Sequence, residues 1–225
     1  MTVHGVAGRT VLVAGATSTV GLAAMGALVR AGAHVVAAGR SAARLEPLAA
    51  LGARVEEIDL TDEGAVTALA AQLHADGIAV DGVLHLVGGW RGGGGIAGQT
   101  EADYRLLEAS FTALRHVSRA FDADLAGSPA GRLAIVSSTV VDRPLAGGAS
   151  YAAVKAASEA WVRAAAQGYA KQARDAGEPL RAAAVIFRVT SLAGLEEAVA
   201  DAFVGLWEAG APANGAIVAI GEGTA

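Results

Sequence analysis

The sequence contains no cysteine, which excludes a disulfide framework, a thiol nucleophile and a thiolate metal site. Charged residues make up only 17% of the chain, and the net charge of −5, with no basic run, argues against a nucleic-acid surface. The histidines are scattered, without an i,i+4 pair or a local carboxylate cluster, at positions 4, 34, 74, 85 and 116. We therefore predict no metal site.

A long uncharged stretch runs from Thr10 to Val29, and its twenty residues match the length of a membrane span. Its centre, GATSTVG, contains turn-forming and hydroxyl residues that would interrupt an apolar helix. A strand, a tight turn and a helix fit this stretch better than a span or a signal peptide. We expect a cytoplasmic protein that acts on a small molecule and binds neither membrane nor nucleic acid.

Hydrophobic residues make up 53% of the 225 residues and form short β-rich runs that alternate with longer alanine-rich stretches of helical period. The predicted strands are 9–15, 34–39, 53–60, 82–89, 131–138, 181–189 and 215–221. The predicted helices are 20–31, 41–50, 62–76, 101–126, 149–175 and 194–209. Strands this apolar on both faces indicate a parallel sheet covered by helices. The sequence predicts one α/β domain over residues 1–225, a doubly wound parallel sheet of about seven strands flanked by helices, with ligands beyond the carboxyl ends of the strands.

The turn after the first predicted strand, Ala14–Gly21 (AGATSTVG), is typical of a phosphate cradle. Gly15 permits a tight turn, Gly21 permits close helix packing, and the amino end of the helix presents N–H groups to a pyrophosphate. Tight packing of the strand against the helix would require the same glycines, so the turn alone leaves both interpretations open.

The second predicted strand ends in Gly39, where a carboxylate would select NAD, and Arg40 follows. An arginine there can pair with the 2′-phosphate of NADP, and we expect no acidic residue to repel that phosphate. This arginine is therefore compatible with NADP as the cofactor. The alternative is a solvated arginine at the start of a helix.

Tyr151 and Lys155 are four residues apart, so on a helix they lie on one face, one turn apart. A lysine ammonium is expected to lower the pKa of a neighbouring phenol, which makes the tyrosine a proton donor for carbonyl reduction. The alternative is a surface i,i+4 pair. Ser138, at the end of the fifth strand, precedes Tyr151 by thirteen residues.

The spacing of Ser138, Tyr151 and Lys155, together with the glycine turn, resembles the short-chain dehydrogenase/reductase family from Arg9 to Gly223. The resemblance implies a Rossmann-type fold in which Ser138 bonds the substrate oxygen, Tyr151 is the general acid, and Lys155 also holds the ribose. Ser110 stands where the family has a catalytic asparagine. The resemblance to members that prefer NADP, together with Arg40, favours NADPH over NADH. The implied cofactor contacts are Gly15, Thr17, Ser18, Thr19, Val20, Gly21, Arg40, Asp59, Leu60, Gly88, Gly89, Lys155 and Thr190.

The same resemblance implies that Asp59 contacts the adenine, although an aspartate after a strand can also cap a helix. It also implies a homodimer or homotetramer formed through the helices that contain Ser110 and Tyr151. The chain departs from the family pattern at Ala14, at Thr19, in HLVG (85–88) after the fourth strand, and in FR (187–188), which stands for the Pro-Gly after the sixth strand. The lid before the last helix is reduced to TSLAG.

The segment HLVGGWRGGGG (85–95) is similar to the Gly-Gly-Trp loop of dihydropteridine reductase, whose preference for NADH conflicts with Arg40. Gly88 and Gly89 would let the backbone approach the nicotinamide, and the glycines at 92–95 would form a mobile lid. Trp90 would stack on a planar substrate, or it would pack in the core.

Two functions agree with these patterns. The first is an NADPH-dependent reductase of a carbonyl, conjugated imine or quinonoid molecule. The second is a non-catalytic dinucleotide-binding sensor or partner protein of the same fold. The retained Ser138, Tyr151 and Lys155 favour the enzyme.

Overall fold

The computed structural model describes residues 5–221, so His4 and Gly223 lie outside the described residues. The strands are β1 Thr10–Ala14, β2 His34–Gly39, β3 Arg54–Glu57, β4 Gly82–His85, β5 Arg132–Ser138, β6 Ala183–Val189 and β7 Ile217–Ala219. The helices are α1 Thr19–Arg30, α2 Ala42–Ala50, α3 Glu63–Ala75, α4 Glu101–Ala120, α5 Asp122–Gly127, α6 Ala149–Ala176 and α7 Glu196–Val204. Short 3-10 helices cover Thr139–Val141, Ala146–Gly148 and Gly205–Trp207.

The seven strands form one parallel sheet in the order β3-β2-β1-β4-β5-β6-β7. The predicted doubly wound sheet is therefore confirmed. β1 pairs with β2 on one side and with β4 on the other, so the winding of the chain reverses between β1 and β4. In open α/β sheets this reversal opens a crevice at the carboxyl ends of the strands, where ligands bind.

Both faces of the sheet are covered because side chains alternate along each strand. From β1, Val11 and Val13 pack into a core with α1 and α7, while Leu12 and Ala14 pack into a second core with α3, α4 and α6. This two-sided burial explains why the strands read as continuous apolar runs. In the stretch from residue 5 to 221, no helix has the length and hydropathy needed to cross a membrane.

The predicted helix 101–126 is two helices, which is a correction to the sequence analysis. The break falls at Phe121, whose φ of −108° and ψ of 11° leave the helical range and whose side chain is fully buried. Asp124 of α5 turns toward the sheet, where its carboxylate accepts a hydrogen bond from Val80 N at 2.9 Å. The break thus depends on a contact with a residue distant in the sequence.

Candidate active site

The β1–α1 turn depends on glycine at two positions. Gly15 has φ +89°, and a Cβ there would lie 3.0 Å from the Leu86 carbonyl carbon and the Val87 nitrogen. A Cβ on Gly21 would lie 2.4 Å from the Ala16 oxygen. Both glycines are therefore needed for packing as well as for the shape of the turn.

The amino end of α1 keeps two backbone donors free within the described chain. Ser18 caps the helix, since its Oγ accepts from Gly21 N at 3.0 Å and donates to Gly15 O at 2.9 Å. The N–H groups of Thr19 and Val20 have no partner among residues 5–221. These two amides can receive an anion at the positive end of the helix.

A first cavity of about 440 Å³ lies beside this turn, between the ends of β2 and β3 and helix α4. Predicted residues line it: Gly15, Thr17, Ser18, Thr19, Arg40, Asp59, Leu60, Gly88 and Ser110. Arg44 also lines it, and its guanidinium donates to the Thr17 carbonyl. Arg44 was not among the predicted residues, although it follows Arg40 by four residues.

Asp59 shapes the wall of the first cavity by holding a turn. Its carboxylate accepts from Thr61 N at 2.9 Å and from Thr61 Oγ1 at 2.8 Å, bonds that lower the pKa of Asp59, with a smaller contribution from the Arg40 charge. The cap of α3 is Asp62, which accepts from Ala65 N at 3.0 Å. The alternative of a helix cap therefore does not hold for Asp59.

Glu57 brings a carboxylate to the region where we expected none. It is the last residue of β3, pairs with Gly39 in the sheet, and accepts a hydrogen bond from Ala42 N at 3.3 Å. The expectation of a region free of acidic residues is therefore wrong.

A second cavity of about 410 Å³ adjoins the first. Ser18, Thr19 and Gly88 line both cavities. The remaining predicted residues line the second cavity: Val20, Gly89, Trp90, Ser138, Tyr151, Lys155 and Thr190. Of all the predicted site residues, only Gly21 lines neither.

Burial dominates the electrostatics of Tyr151 and Lys155. It raises the pKa of the Tyr151 phenol, against the lowering effect of a hydrogen bond with Ser138. It lowers the pKa of Lys155 to about 8, against the raising effect of Glu159. The Lys155 ammonium lies 5.7 Å from the Tyr151 ring centroid and donates to the Val136 carbonyl at 2.7 Å. The expectation that Lys155 lowers the tyrosine pKa below its usual value is therefore wrong for this structure.

Ser110 is the one catalytic candidate that the structure places outside the second cavity. Its Oγ donates to Leu107 O at 2.6 Å in its own helix. Its carbonyl contacts His85 Nε2 at 3.1 Å, and since a carbonyl only accepts, Nε2 carries the hydrogen.

His85, which the sequence analysis gave no role, is buried at the end of β4 and lines the second cavity. Its Nδ1 has no hydrogen-bond partner within residues 5–221. Burial lowers the pKa of His85 to about 4, with Ser110 O raising it and the Lys155 charge lowering it. His85 is therefore neutral at pH 7.

The glycine loop after β4 is tied to the start of α6. Gly93 N donates to Gly147 O at 2.7 Å. The Gln99 Nε2 amide, with two hydrogens to donate, lies 3.1, 3.2 and 3.1 Å from the carbonyl oxygens of Gly93, Gly95 and Gly147. The Gln99 Oε1 accepts from Ser150 N at 3.2 Å. The glycines at 93–95 have φ of +131°, +63° and +66°, so they serve this conformation rather than only a loose lid.

Trp90 lies on this loop and is 62% exposed. The alternative that it packs in the core is therefore wrong. Because it lines the second cavity, the indole is placed at the mouth of that cavity.

Phe187 and Arg188 lie within β6 rather than after it, so their assignment to the position of the family's Pro-Gly is wrong. Phe187 is fully buried. Arg188 forms ion pairs with Glu159 and Asp142, each at 2.7 Å.

Within the described part of the chain, no group of three or more metal-ligating side chains is found.

A seven-stranded parallel sheet with adjoining cavities at its switch point defines a nucleotide-binding α/β protein of the doubly wound class. The chain belongs to the short-chain dehydrogenase family, because the family model described as short chain dehydrogenase matches residues 9–174. Family membership confirms the prediction of an NAD(P)-dependent oxidoreductase. No curated protein sequence matches the chain.

Solved structures share the fold over nearly the whole length. A short chain dehydrogenase from Salmonella enterica serovar Typhi CT18 is 19% identical, with 97% of this chain and 98% of that chain covered and a TM-score of 0.83. The L-sorbose reductase of Gluconobacter frateurii, complexed with NADPH and L-sorbose, is 17% identical, with 97% of each chain covered and a TM-score of 0.81. A protein of Shigella flexneri 2a, described as a short chain dehydrogenase complexed with NADP, is 21% identical, with coverage of 96% and 98% and a TM-score of 0.80.

Proposed function

We propose that the protein reduces a carbonyl, conjugated imine or quinonoid group of a small molecule, with NADPH as the preferred hydride donor and Tyr151 as the general acid. The observation that carries the proposal is the second cavity, in which Ser138, Tyr151 and Lys155 face one space beside the α1 turn. Ser138 lies at the end of β5, whereas Tyr151 and Lys155 lie on α6. The fold, and not only the spacing in the sequence, therefore brings the three side chains together.

The first cavity fits the phosphates of a dinucleotide. Gly15 leaves the turn open, and the free N–H groups of Thr19 and Val20 favour negative charge at the amino end of α1. The relatives from Gluconobacter frateurii and Shigella flexneri, which are complexed with NADPH and NADP, support the same choice of cofactor. When bound, NADPH supplies the hydride.

Charge at the ends of β2 and β3 supports NADPH over NADH. Arg40 and Arg44 line the first cavity, and a guanidinium can donate two parallel hydrogen bonds to a 2′-phosphate. Glu57 opposes this preference, because its negative charge would repel a 2′-phosphate. Its carboxylate accepts a hydrogen bond from Ala42 N, in the first turn of α2. We infer that the two guanidinium groups outweigh the exposed carboxylates of Glu57 and Asp59.

The residues of the second cavity divide the proton chemistry. The raised pKa of Tyr151 keeps the phenol protonated at neutral pH, as a proton donor must be. Ser138 donates a hydrogen bond to the substrate oxygen, and Tyr151 transfers its proton there. Lys155, with a pKa of about 8, is charged at pH 7 and stabilises the phenolate that remains.

The walls of the second cavity suit a substrate with a planar or apolar body. Val140, Val189 and Leu192 line it beside Trp90. An aromatic face at the mouth can stack on a conjugated ring. We therefore expect aromatic and bicyclic substrates to be preferred.

A homodimer or homotetramer and a cytoplasmic location stay predictions. α6 leaves Ala153, Ala160 and Ala164 exposed, and such small side chains would allow a second copy to pack closely.

The test is the oxidation of NADPH against a panel of ketones, quinones and pterins. Tyr151→Phe should lower kcat by roughly 10²–10⁴ and leave NADPH affinity nearly unchanged, because the phenol acts on the proton and not on binding. Tyr104→Phe, on α4 and outside both cavities, is the matched control and should behave as wild type. Near-wild-type turnover in Tyr151→Phe would rule out the assignment.

A further inference from the structure

A buried ion pair lies behind the second cavity. Glu159 of α6 has no exposed side-chain surface, and its two carboxylate oxygens accept from Arg188 of β6. Arg188 Nε lies 2.8 Å from Oε1, and Arg188 Nη2 lies 2.7 Å from Oε2. This bidentate arrangement is the strongest geometry for such a pair, and it fixes both side chains.

The pair is connected to β5 on both sides of Ser138. Before it, Ser137 Oγ donates to Glu159 Oε1 at 2.7 Å. After it, Asp142, which follows the 3-10 helix Thr139–Val141, accepts from Arg188 Nη1 at 2.7 Å. The strand end that bears Ser138 is thus held from two directions.

Glu159 also shares a helix face with the reacting groups. Tyr151, Lys155 and Glu159 recur every four residues along α6, so they lie one above another. Lys155 donates to the Val136 carbonyl, and Glu159 accepts from the next residue, Ser137. The two charged residues therefore hold consecutive residues of β5.

We propose that Glu159 is a positioning residue: paired with Arg188, it fixes the end of β5 that bears Ser138 and presents its negative charge to the Lys155 ammonium. The inference rests on the proposed function of Ser138 and Lys155. Stability alone is a weak explanation, since a buried ion pair is often no more stabilising than apolar residues of similar volume.

The charges around Lys155 agree with this role. Burial lowers the pKa of Lys155, and Glu159 is the group that acts in the opposite direction. Tyr151 lies on the same helix face, and from β4 the neutral His85 faces the ammonium. Arg188 offsets much of the Glu159 charge, and Arg163 contacts the same carboxylate at 3.3 Å. Asp142 in turn pairs with Arg188.

The test titrates Lys155 in the free protein. The sequence has two lysines, so acylation by acetic anhydride across pH, read by peptide mass spectrometry, compares Lys155 with the exposed Lys171 in one sample. The wild-type midpoint for Lys155 should lie near pH 8. Glu159→Gln should lower that midpoint by about half a unit to one unit. Arg188→Gln should raise it, because Glu159 loses its partner charge.

Opposite shifts distinguish this role from a merely structural one, which would make both variants behave alike. The alkaline limb of the pH–rate profile should move with the Lys155 midpoint, while Lys171 stays fixed. Shifts in the same direction, or no measurable shift in either variant, would overturn the proposal. If Glu159→Gln does not fold, Arg188→Gln decides, with Arg163→Gln as a control that shifts the midpoint upward by less.

The titration requires neither cofactor nor substrate. A protein that lacks reductase activity would still report the coupling of Glu159 to Lys155, and the failure of the proposed function would be seen separately in Tyr151→Phe.

Discussion

Acid should destabilise the protein partly through His85, and His85→Asn should remove that part. The His85 imidazole is 5% exposed, with Nε2 bound to the Ser110 carbonyl and Nδ1 without a partner among the described residues. Protonation would bury a positive charge near the Lys155 ammonium with no acceptor for the new N–H. That cost explains why burial lowers the pKa of His85 from 6.5 to about 4.

The magnitude follows from the difference between the two states. An unfolded chain binds the proton below pH 6.5, whereas the folded protein binds it only near pH 4. Between these values the unfolded state carries more protons, so the free energy of unfolding falls as the pH falls. At about 1.4 kcal/mol per pKa unit the full effect is about 3 kcal/mol, of which about 2 kcal/mol falls between pH 7 and pH 5.

Urea unfolding at pH 7 and pH 5 measures this contribution. Packing lost in His85→Asn affects both pH values equally, and other titrating groups are common to both proteins, so the change between the two pH values isolates the imidazole. Wild type should lose about 2 kcal/mol more than His85→Asn. Equal losses in wild type and His85→Asn would refute the reasoning.

Three further substitutions test the cavities. Arg40→Ala should raise the Kd for NADPH about tenfold in isothermal titration and leave the Kd for NADH almost unchanged. Glu57→Gln should lower the Kd for NADPH. An equal loss of affinity for both cofactors in Arg40→Ala would make Arg40 structural. Trp90→Ala should raise KM for aromatic or bicyclic substrates about tenfold without changing Tm, because the side chain is 62% exposed. A large drop in Tm with KM unchanged would show that Trp90 serves the fold instead.

The elements were predictable because their signals are local. Runs such as VLVA in β1 are apolar on both faces, and the glycine at position 15 marks the turn that follows. The α4–α5 break has no such signal, because the helical period continues through Phe121 and the turn depends on the contact between Asp124 and Val80. Periodicity reports the buried face of a helix, not a partner far along the chain.

The same distinction between local signals and distant contacts applies to the residues of the site. Motifs with short spacing placed every predicted residue except Gly21 on the two cavities. The missed residues act through partners distant in the sequence: Glu57 is 15 residues from Ala42, and Glu159 is 29 residues from Arg188. Glu159 and Arg44 carried a local signal, since Glu159 continues the four-residue spacing of Tyr151 and Lys155 and Arg44 follows Arg40 by four residues.

The second cavity and the ion pair behind it form one electrostatic arrangement. Arg188 and His85 are both ionisable, yet Arg188 is neutralised by Glu159 and Asp142, and the lowered pKa of His85 keeps it uncharged. Among the described residues that line the cavity, Lys155 therefore carries the charge at pH 7. In the proposed reaction, proton transfer from Tyr151 leaves a phenolate facing that ammonium, with no second cationic side chain among the described residues that line the cavity. We therefore expect the charge state of Lys155, which Glu159 is proposed to help maintain, to limit how readily Tyr151 gives up its proton.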